Sequence, residues 1–570
     1  MRYALFLLIL LLLSQCKQAP DLPTTTIYQP DKNLTEDSAM VVSAHPLASD
    51  VGADIMRAGG NAVDATIAVQ FALAVVYPRA GNLGGGGFMV LRQSDGLIDA
   101  LDYREKAPAA ADRDMYLDSL EQVVSGLSTA GHLASGVPGT VAGMWAAHQK
   151  YGKLPWADLV RPARKLAAEG FKLSETETDR FNSFQERFKE QNTQPNVFMP
   201  TDTFTVGFVF KQPDLAKTLQ LIEEQGKKGF YEGRTAQLIV EEMERGNGII
   251  TAQDLMDYEA TWRVPIAIPY KNYTFISMPP SSSGGIAVGQ MLQMVEDYPL
   301  ADYGFHTTEA VQLMVEVERR AFADRAEHVG DSDFYDVPME ELLSKDYLAE
   351  RMSNYQKDSP TVSDSLAAGD FNVGLESFET THTSVVDADG NAVSVTTTLN
   401  SNFGSKVVVG GAGFFLNNEM DDFSVKPGVP NQFGLVGAEA NAIQPGKRML
   451  SSMTPSIVEK DDQLFLVLGA PGGSTIITAV FQTMINVIEF DMDLYDAVQA
   501  GRFHHQWKPD EIWIEKNDFP SSVRSELEEV GYSFRELNRM AIIKAIEVLP
   551  NGDLNGVGDT RNPDDDAEGF

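Results

Sequence analysis

The stretch from Thr380 to Asn400 limits what this chain can fold into more than any other. Upstream, Gln356 to Glu379 is rich in Ser, Asp, Pro and Gly and reads as a loose linker. From Thr380 the chain alternates and carries hydroxyls, first through Thr381, His382, Thr383 and Ser384, then through Thr396-Thr397-Thr398-Leu399-Asn400. A period of two marks a strand. Asp387-Ala388-Asp389-Gly390-Asn391 reads as the turn between two such strands, with Gly390 in the left-handed position of a three-residue loop. That loop sets Thr380 opposite Thr398 and His382 opposite Thr396. Ser384, Ser394 and Asn400 share their face, and Val385, Val393, Val395 and Leu399 take the other. A two-residue Asp389-Gly390 loop would shift the register by one and move Thr398 across. The longer loop is preferred because it segregates polar from apolar side chains. A strand face this polar is costly in a core unless something uses it.

Threonine is a weak nucleophile without a base beside it. Cutting the chain just before the residue supplies one, because the freed α-amine can take the hydroxyl proton. A threonine opening a strand at the end of a loose linker suits that chemistry. Taken alone, base rates of strand composition favour an ordinary β-hairpin rich in β-branched residues.

Thr380-Thr381-His382-x-Ser384, Gly390-Asn391, Thr396-x-Thr398-Leu399-Asn400 and Phe403-Gly404 together resemble the signature of the γ-glutamyltransferases (γ-glutamyl transpeptidases). Further matches follow in order: Asn417-Asn418-Glu419-Met420-Asp421-Asp422-Phe423, Lys426-Pro427-Gly428-Val429-Pro430-Asn431, Leu450-Ser451-Ser452-Met453-Thr454-Pro455 and Gly469-Ala470-Pro471-Gly472-Gly473-Ser474. The N-terminal part joins through Gly59-Gly60-Asn61-Ala62-Val63-Asp64-Ala65, Gly81-Asn82-Leu83 with Gly84 to Phe88, and Asp102-Tyr103-Arg104-Glu105. Ser135 to Thr140 and Met278 to Gly285 match as well. The resemblance runs from about residue 38 to the C-terminus.

The resemblance implies a four-layer αββα N-terminal-nucleophile sandwich of the α/β (α+β) class, built from two intertwined pieces of one self-cleaved chain. Periodicity alone gives a mixed α and β protein. By the same resemblance Thr380 is the nucleophile, both in cleavage at Glu379-Thr380 and in later acyl transfer. Thr398 orients it, and the backbone N–H groups of Gly472 and Gly473 form the oxyanion hole. Arg104 takes the α-carboxylate of the donor with Ser451 and Ser452, whereas Asn400, Glu419 and Asp422 accept from its α-ammonium. The implied activity is γ-glutamyl transfer and glutathione hydrolysis through an ester on Thr380, resolved by water, amino acids or peptides. No cofactor is implied, and the implied macromolecular partner is the chain's own second fragment. Relatives with a lid over the pocket carry a tyrosine where this chain has Phe433, which cannot donate a hydrogen bond to Asn400. Two other readings stand beside this one: a glutaryl (cephalosporin-type) acylase or poly-γ-glutamate hydrolase of the same fold, and a non-catalytic peptide-binding envelope lipoprotein. A glutaryl group lacks the ammonium that Glu419 and Asp422 suit, and binding alone needs no nucleophile.

Other chemistries lack local support. There is no Gly-x-Ser-x-Gly elbow and no His-Glu-x-x-His helix. His504 and His505 are the only adjacent pair among eight histidines, and neighbours cannot both point into one site from a regular helix, so no metal site is expected. His382 reads as a structural hydrogen-bonding residue. The glycines from Gly84 to Gly87 lack the Lys-Ser/Thr of a phosphate loop and read as close backbone packing near a site.

At 570 residues the chain has material for a large core, and its 43% hydrophobic and 22% charged residues are those of a globular protein. A formal net charge of −36 argues against nucleic acid or anionic lipid as a partner. Arg2 followed by apolar Ala4 to Leu13 reads as an export leader, too short to span a bilayer as a stable helix. The single cysteine, Cys16, excludes an intramolecular disulfide. It is either incidental to a discarded signal peptide or, since Leu13-Ser14-Gln15-Cys16 resembles a lipobox, an acylated anchor of a periplasmic or envelope lipoprotein. Gln15 departs from the usual small residue there. The segments are therefore a leader over 1–16, a tether over 17–37, a large piece over 38–379 ending in the processing linker 356–379, and a small piece over 380–570. Helices are expected over Ala48 to Ala58, Ala62 to Val76 and Ile476 to Ile488. Strands are expected over Gly87 to Arg92, Ile98 to Tyr103 and Leu464 to Leu468.

Overall fold

The computed structural model describes residues 27–363 and 380–570. The leader with Cys16, the first part of the tether and residues 364–379, including Glu379, lie outside the described residues. Two seven-stranded antiparallel sheets face each other. The first runs Asp566–Gly569, Met40–Ser43, Thr381–Val386, Ala392–Thr398, Gly86–Arg92, Ile98–Asp102 and Thr261–Arg263. The second runs Asn33–Glu36, Leu554–Gly558, Lys544–Val548, Gln463–Gly469, Ser456–Lys460, Tyr273–Ser277 and Ile266–Tyr270. Helices Pro46–Arg57 and Ala62–Val76 cover the first sheet. Gly284–Glu296 and Thr475–Ile488 cover the second, with Thr308–His328 packed on Gly284–Glu296. The four-layer αββα sandwich is thus the architecture, and both sheets combine strands from either side of residue 380.

The alternation of side chains builds these layers. In the first sheet Val41, Met89, Leu91, Val385, Val393 and Val395 point outward into one core with Ile67 and Phe71 of the covering helix. Met40, Val42, Phe88 and Val90 point inward, into the core shared with the second sheet. Helix Ala62–Val76 is buried on every side, and Asn61 and Asp64 close its N-terminus as a capping box.

The hairpin takes the three-residue-loop register, with Thr381 opposite Thr397 and His382 opposite Thr396. Its polar face is used. Ser384 donates to Lys544 O at 3.1 Å and Ser394 to Leu468 O at 3.1 Å, while Ser456 N donates to Ser394 Oγ at 2.9 Å. His382 is buried between Thr396 Oγ1 at 2.8 Å and Ser384 Oγ at 3.1 Å, and burial pushes its imidazole well below the usual range. The face that sequence marks as costly is the seam between the two sheets, where hydroxyls satisfy backbone groups.

Two expected loose segments are partly built into the fold. Asn33–Glu36, inside the expected tether, is an edge strand paired with Leu554–Gly558. At the start of the expected linker, Ser363 is buried; its N–H donates to Asp510 at 3.0 Å and its carbonyl accepts from the Trp507 indole at 3.1 Å. Their polar composition is satisfied by partners more than a hundred residues away, which local sequence does not reveal.

Candidate active site

Thr380 stands at the head of strand Thr381–Val386, buried, with its hydroxyl donating to Thr398 Oγ1 at 3.3 Å. Thr398 Oγ1 also accepts the Asn400 backbone N–H at 2.8 Å. The backbone beneath is pinned by Asn82, whose Nδ2 donates to Thr398 O at 2.9 Å and whose Oδ1 accepts from Gly85 N at 2.9 Å. A Cβ on Gly85 would lie 2.0 Å from Thr398 O, and one on Gly87 2.3 Å from Thr396 O. The glycine run is close packing against the neighbouring strand Ala392–Thr398, at the edge of the cavity, as its sequence context suggests.

Gly472 and Gly473 lead into helix Thr475–Ile488 with φ of +147° and +57°, conformations open to glycine. Gly472 O accepts from Thr475 N at 3.2 Å and from its hydroxyl at 2.7 Å. A trans peptide directs its N–H opposite to its C=O, so the Gly473 N–H points away from the helix start. Gly473 lines the same cavity as Thr380, at the positive end of the helix dipole. Gly472 sits behind it, where an added Cβ would meet Ala541 at 2.7 Å.

The cavity wall carries the charged groups. Arg104 reaches Glu419 at 2.7 Å and Asp422 at 2.5 Å, with Glu105 at 3.6 Å. The groups expected to hold opposite poles of a zwitterion therefore neutralise one another across a few ångströms. Burial pushes the carboxyls of Glu419 and Asp422 above the usual carboxylate range despite the pull of Arg104, and Glu105 rises to about 8 for the same reason. Burial alone would lower the Arg104 guanidinium; Glu419 and Asp422 outweigh it and hold it above its ordinary value. Asn417 orders this wall: it bonds Gly84 O and Gly136 O at 2.8 Å each, and its Oδ1 accepts from Glu419 N at 3.1 Å. Asn400, at a φ of +79°, donates from Nδ2 to Asn418 O at 3.1 Å.

Ser451 and Ser452 are held from behind by the serines of the Met278 to Gly285 motif. Ser283 donates to Ser451 O from N at 2.8 Å and from Oγ at 2.7 Å, and Ser282 Oγ donates to Met453 O at 2.7 Å. The structure thus gathers Thr380, Thr398, Gly473, Arg104, Asn400, Glu419, Asp422, Ser451 and Ser452 around one cavity. Phe433 lies on its wall, 3% exposed, in a turn in which Asn431 Oδ1 accepts from Phe433 N and Leu435 N, and Asn431 Nδ2 donates to Asp422 at 3.3 Å. His504 and His505 turn to different partners, Thr478 and Asp510.

Sequence reasoning missed Arg325, which lines the cavity from helix Thr308–His328. In sequence it belongs to a run of Arg and Asp/Glu that reads as a solvated helix face; only the burial of most of that helix marks it out.

The family model "Gamma-glutamyltranspeptidase" matches residues 48–569. The "Glutathione hydrolase proenzyme" of Escherichia coli (strain K12) is 45% identical over 93% of this chain and 92% of that protein. Among solved structures, "cephalosporin acylase from Bacillus halodurans" superimposes with a TM-score of 0.81 at 26% identity, over 97% of this chain and 99% of that one. "Helicobacter pylori gamma-Glutamyltranspeptidase" is 40% identical, with a TM-score of 0.55, over 60% of this chain and 95% of that chain. A threonine-headed strand beside a cavity-lining glycine, and a sequence match over nearly the whole length, converge on one conclusion: this chain belongs to the γ-glutamyltranspeptidase family.

Proposed function

We propose that this chain is a γ-glutamyltransferase and glutathione hydrolase that matures by cleaving its own Glu379-Thr380 bond. The observation that carries the reading is the pairing in one cavity of a nucleophile set, Thr380 with Thr398 and Gly473, and a zwitterion set, Arg104, Glu419 and Asp422. Thr380 Oγ1 attacks the Glu379 carbonyl, the peptide bond passes to an ester, and water hydrolyses that ester. The new α-amine of Thr380 is then free to act as base. In each later turnover it takes the hydroxyl proton while Oγ1 attacks the γ-carbonyl carbon of the donor. The oxyanion is met by the N–H groups of Gly473 and Gly472, and the tetrahedral centre collapses by expelling the amine, which regains the proton. The γ-glutamyl–Thr380 ester is resolved by water, giving glutamate, or by the amine of an amino acid or peptide, giving a new γ-glutamyl amide.

The donor's α-carboxylate replaces a carboxylate against Arg104, with Ser451 and Ser452 as hydroxyl donors. Its ammonium takes Glu419, Asp422 and Asn400 in exchange. Each pole then meets opposite charge and neither is buried alone. We also place the enzyme outside the cytoplasm, with Cys16 as the candidate lipid anchor. The donor assignment is tested by comparing γ-glutamyl and glutaryl anilides. A strong preference for γ-glutamyl is expected, because the glutaryl group leaves Glu419 and Asp422 without a cation; equal turnover of both would instead identify an acylase of this fold.

A further inference from the structure

Arg104 is occupied by carboxylates, yet a second guanidinium reaches the same cavity. Arg325 is 5% exposed; its Nε donates to Ser283 Oγ at 2.9 Å and its Nη2 to Ser452 Oγ at 3.2 Å. In both bonds the guanidinium donates to a hydroxyl rather than to a carboxylate. A guanidinium only donates, whereas a hydroxyl both donates and accepts. With Arg325 donating into it, the Ser452 oxygen is used as an acceptor, so its own proton must be directed elsewhere. Ser452 lines the cavity, so an acceptor placed there is within reach of its O–H. Ser283, likewise accepting from Arg325, spends its proton on Ser451 O at 2.7 Å and fixes the backbone of the serine pair.

Building on the donor pocket proposed above, we infer that Arg325 is a positioning residue for the donor's α-carboxylate: through Ser452 and Ser283 it sets the serine pair as hydrogen-bond donors and supplies the second positive charge of the pocket. The pocket then carries two guanidiniums, Arg104 and Arg325, beside the carboxyls of Glu419, Asp422 and Glu105. Burial lowers the Arg325 guanidinium to about 10, so it remains charged at neutral pH, with the Asp422 carboxylate favouring that state. Without Arg325 the Ser452 hydroxyl could rotate and present its lone pair, which repels a carboxylate.

The test is a ratio measured within one sample, so it does not depend on the fraction of protein folded. kcat/KM is compared for three anilides: γ-glutamyl, 4-aminobutyryl (no α-carboxylate) and glutaryl (no ammonium). In Arg325→Gln the preference for γ-glutamyl over 4-aminobutyryl is expected to fall about tenfold or more, through KM rather than kcat, as befits a lost charge-assisted contact. The preference over glutaryl should be kept, and adding Ser452→Ala should change little, because both act through one hydroxyl. An unchanged carboxylate preference, or an equal fall in both preferences, overturns the inference. If Arg325→Gln yields no folded protein, Ser283→Ala carries the test. It removes the acceptor of Nε and is expected to lower the same preference several-fold, and no change there overturns the inference. A wild type that prefers γ-glutamyl to neither analogue overturns the donor pocket itself, and this inference with it.

Discussion

Asp422 meets Arg104 through one oxygen and Asn431 through the other, and it sits on the wall where the donor's ammonium would enter. Asp422→Asn removes a charge-assisted bond, which contributes about 1.5–3 kcal/mol, so KM for γ-glutamyl donors should rise roughly tenfold or more while kcat moves less. The pH dependence follows from the same residues. Burial raises the carboxyls of Glu419 and Asp422, and a bound ammonium would draw them down again. The complex therefore holds fewer protons than the free enzyme, and donor affinity should increase as pH rises through the free-enzyme values. Those values lie above the ordinary carboxylate range of about 4. A kcat/KM profile whose acid limb lies at or below that range would contradict the burial argument. Phe433 gives a second test at this scale. It lines the cavity wall, 3% exposed, and has no hydroxyl to anchor it there. A neutral hydrogen bond contributes about 0.5–1.5 kcal/mol, so Phe433→Tyr should close the lid several-fold more firmly and raise the ratio of transpeptidation to hydrolysis at a fixed acceptor concentration. A ratio that does not change, with Asn400→Ala acting equally in both backgrounds, would refute it.

Among the elements, the hairpin Thr381–Val386 and Ala392–Thr398 was legible because its period and its turn agree: Gly390 fixes the loop, the loop fixes the register, and the register puts Thr380 beside Thr398. The helix Ala62–Val76 and the strand Gly86–Arg92 were likewise readable from apolar runs bounded by Asn61 and the glycines. What local sequence did not reveal depends on distant partners. Ser363 gains its backbone partners from Asp510 and Trp507, Asn33–Glu36 gains a sheet edge from Leu554–Gly558, and Arg104 is claimed by the acids assigned to the other pole of the substrate. Arg325 was hidden by the ordinary appearance of charges on a helix. The glycine run provides a test of how tightly strand Ala392–Thr398 is seated. Gly85→Ala would drive a methyl to 2.0 Å from Thr398 O, backbone that cannot swing aside. Overpacking of this kind costs about 1–3 kcal/mol, so a lower melting temperature and slower maturation are expected together. Wild-type melting and maturation in that variant would mean the Thr398 backbone is not held as described.

At the scale of the whole molecule, the two pieces meet inside both sheets. Strand Thr381–Val386, which begins one residue after the proposed cut, lies between Met40–Ser43 and Ala392–Thr398, so cleavage would leave the sandwich closed by the hydrogen bonds of neighbouring strands. A chain built this way can expose a new amine at the head of a central strand without releasing either piece. That is the central claim: one residue, Thr380, first cuts its own chain and then carries the γ-glutamyl group. The most direct measurement is mass spectrometry under denaturing conditions of the purified chain and of Thr380→Ala, with the wild type also sampled after brief exposure to a γ-glutamyl donor. The account predicts a wild-type fragment beginning at Thr380 that gains one γ-glutamyl group on its first peptide, and an uncut, unlabelled Thr380→Ala chain. A Thr380→Ala chain cut efficiently at the same bond, or a γ-glutamyl adduct on any other residue, would contradict it.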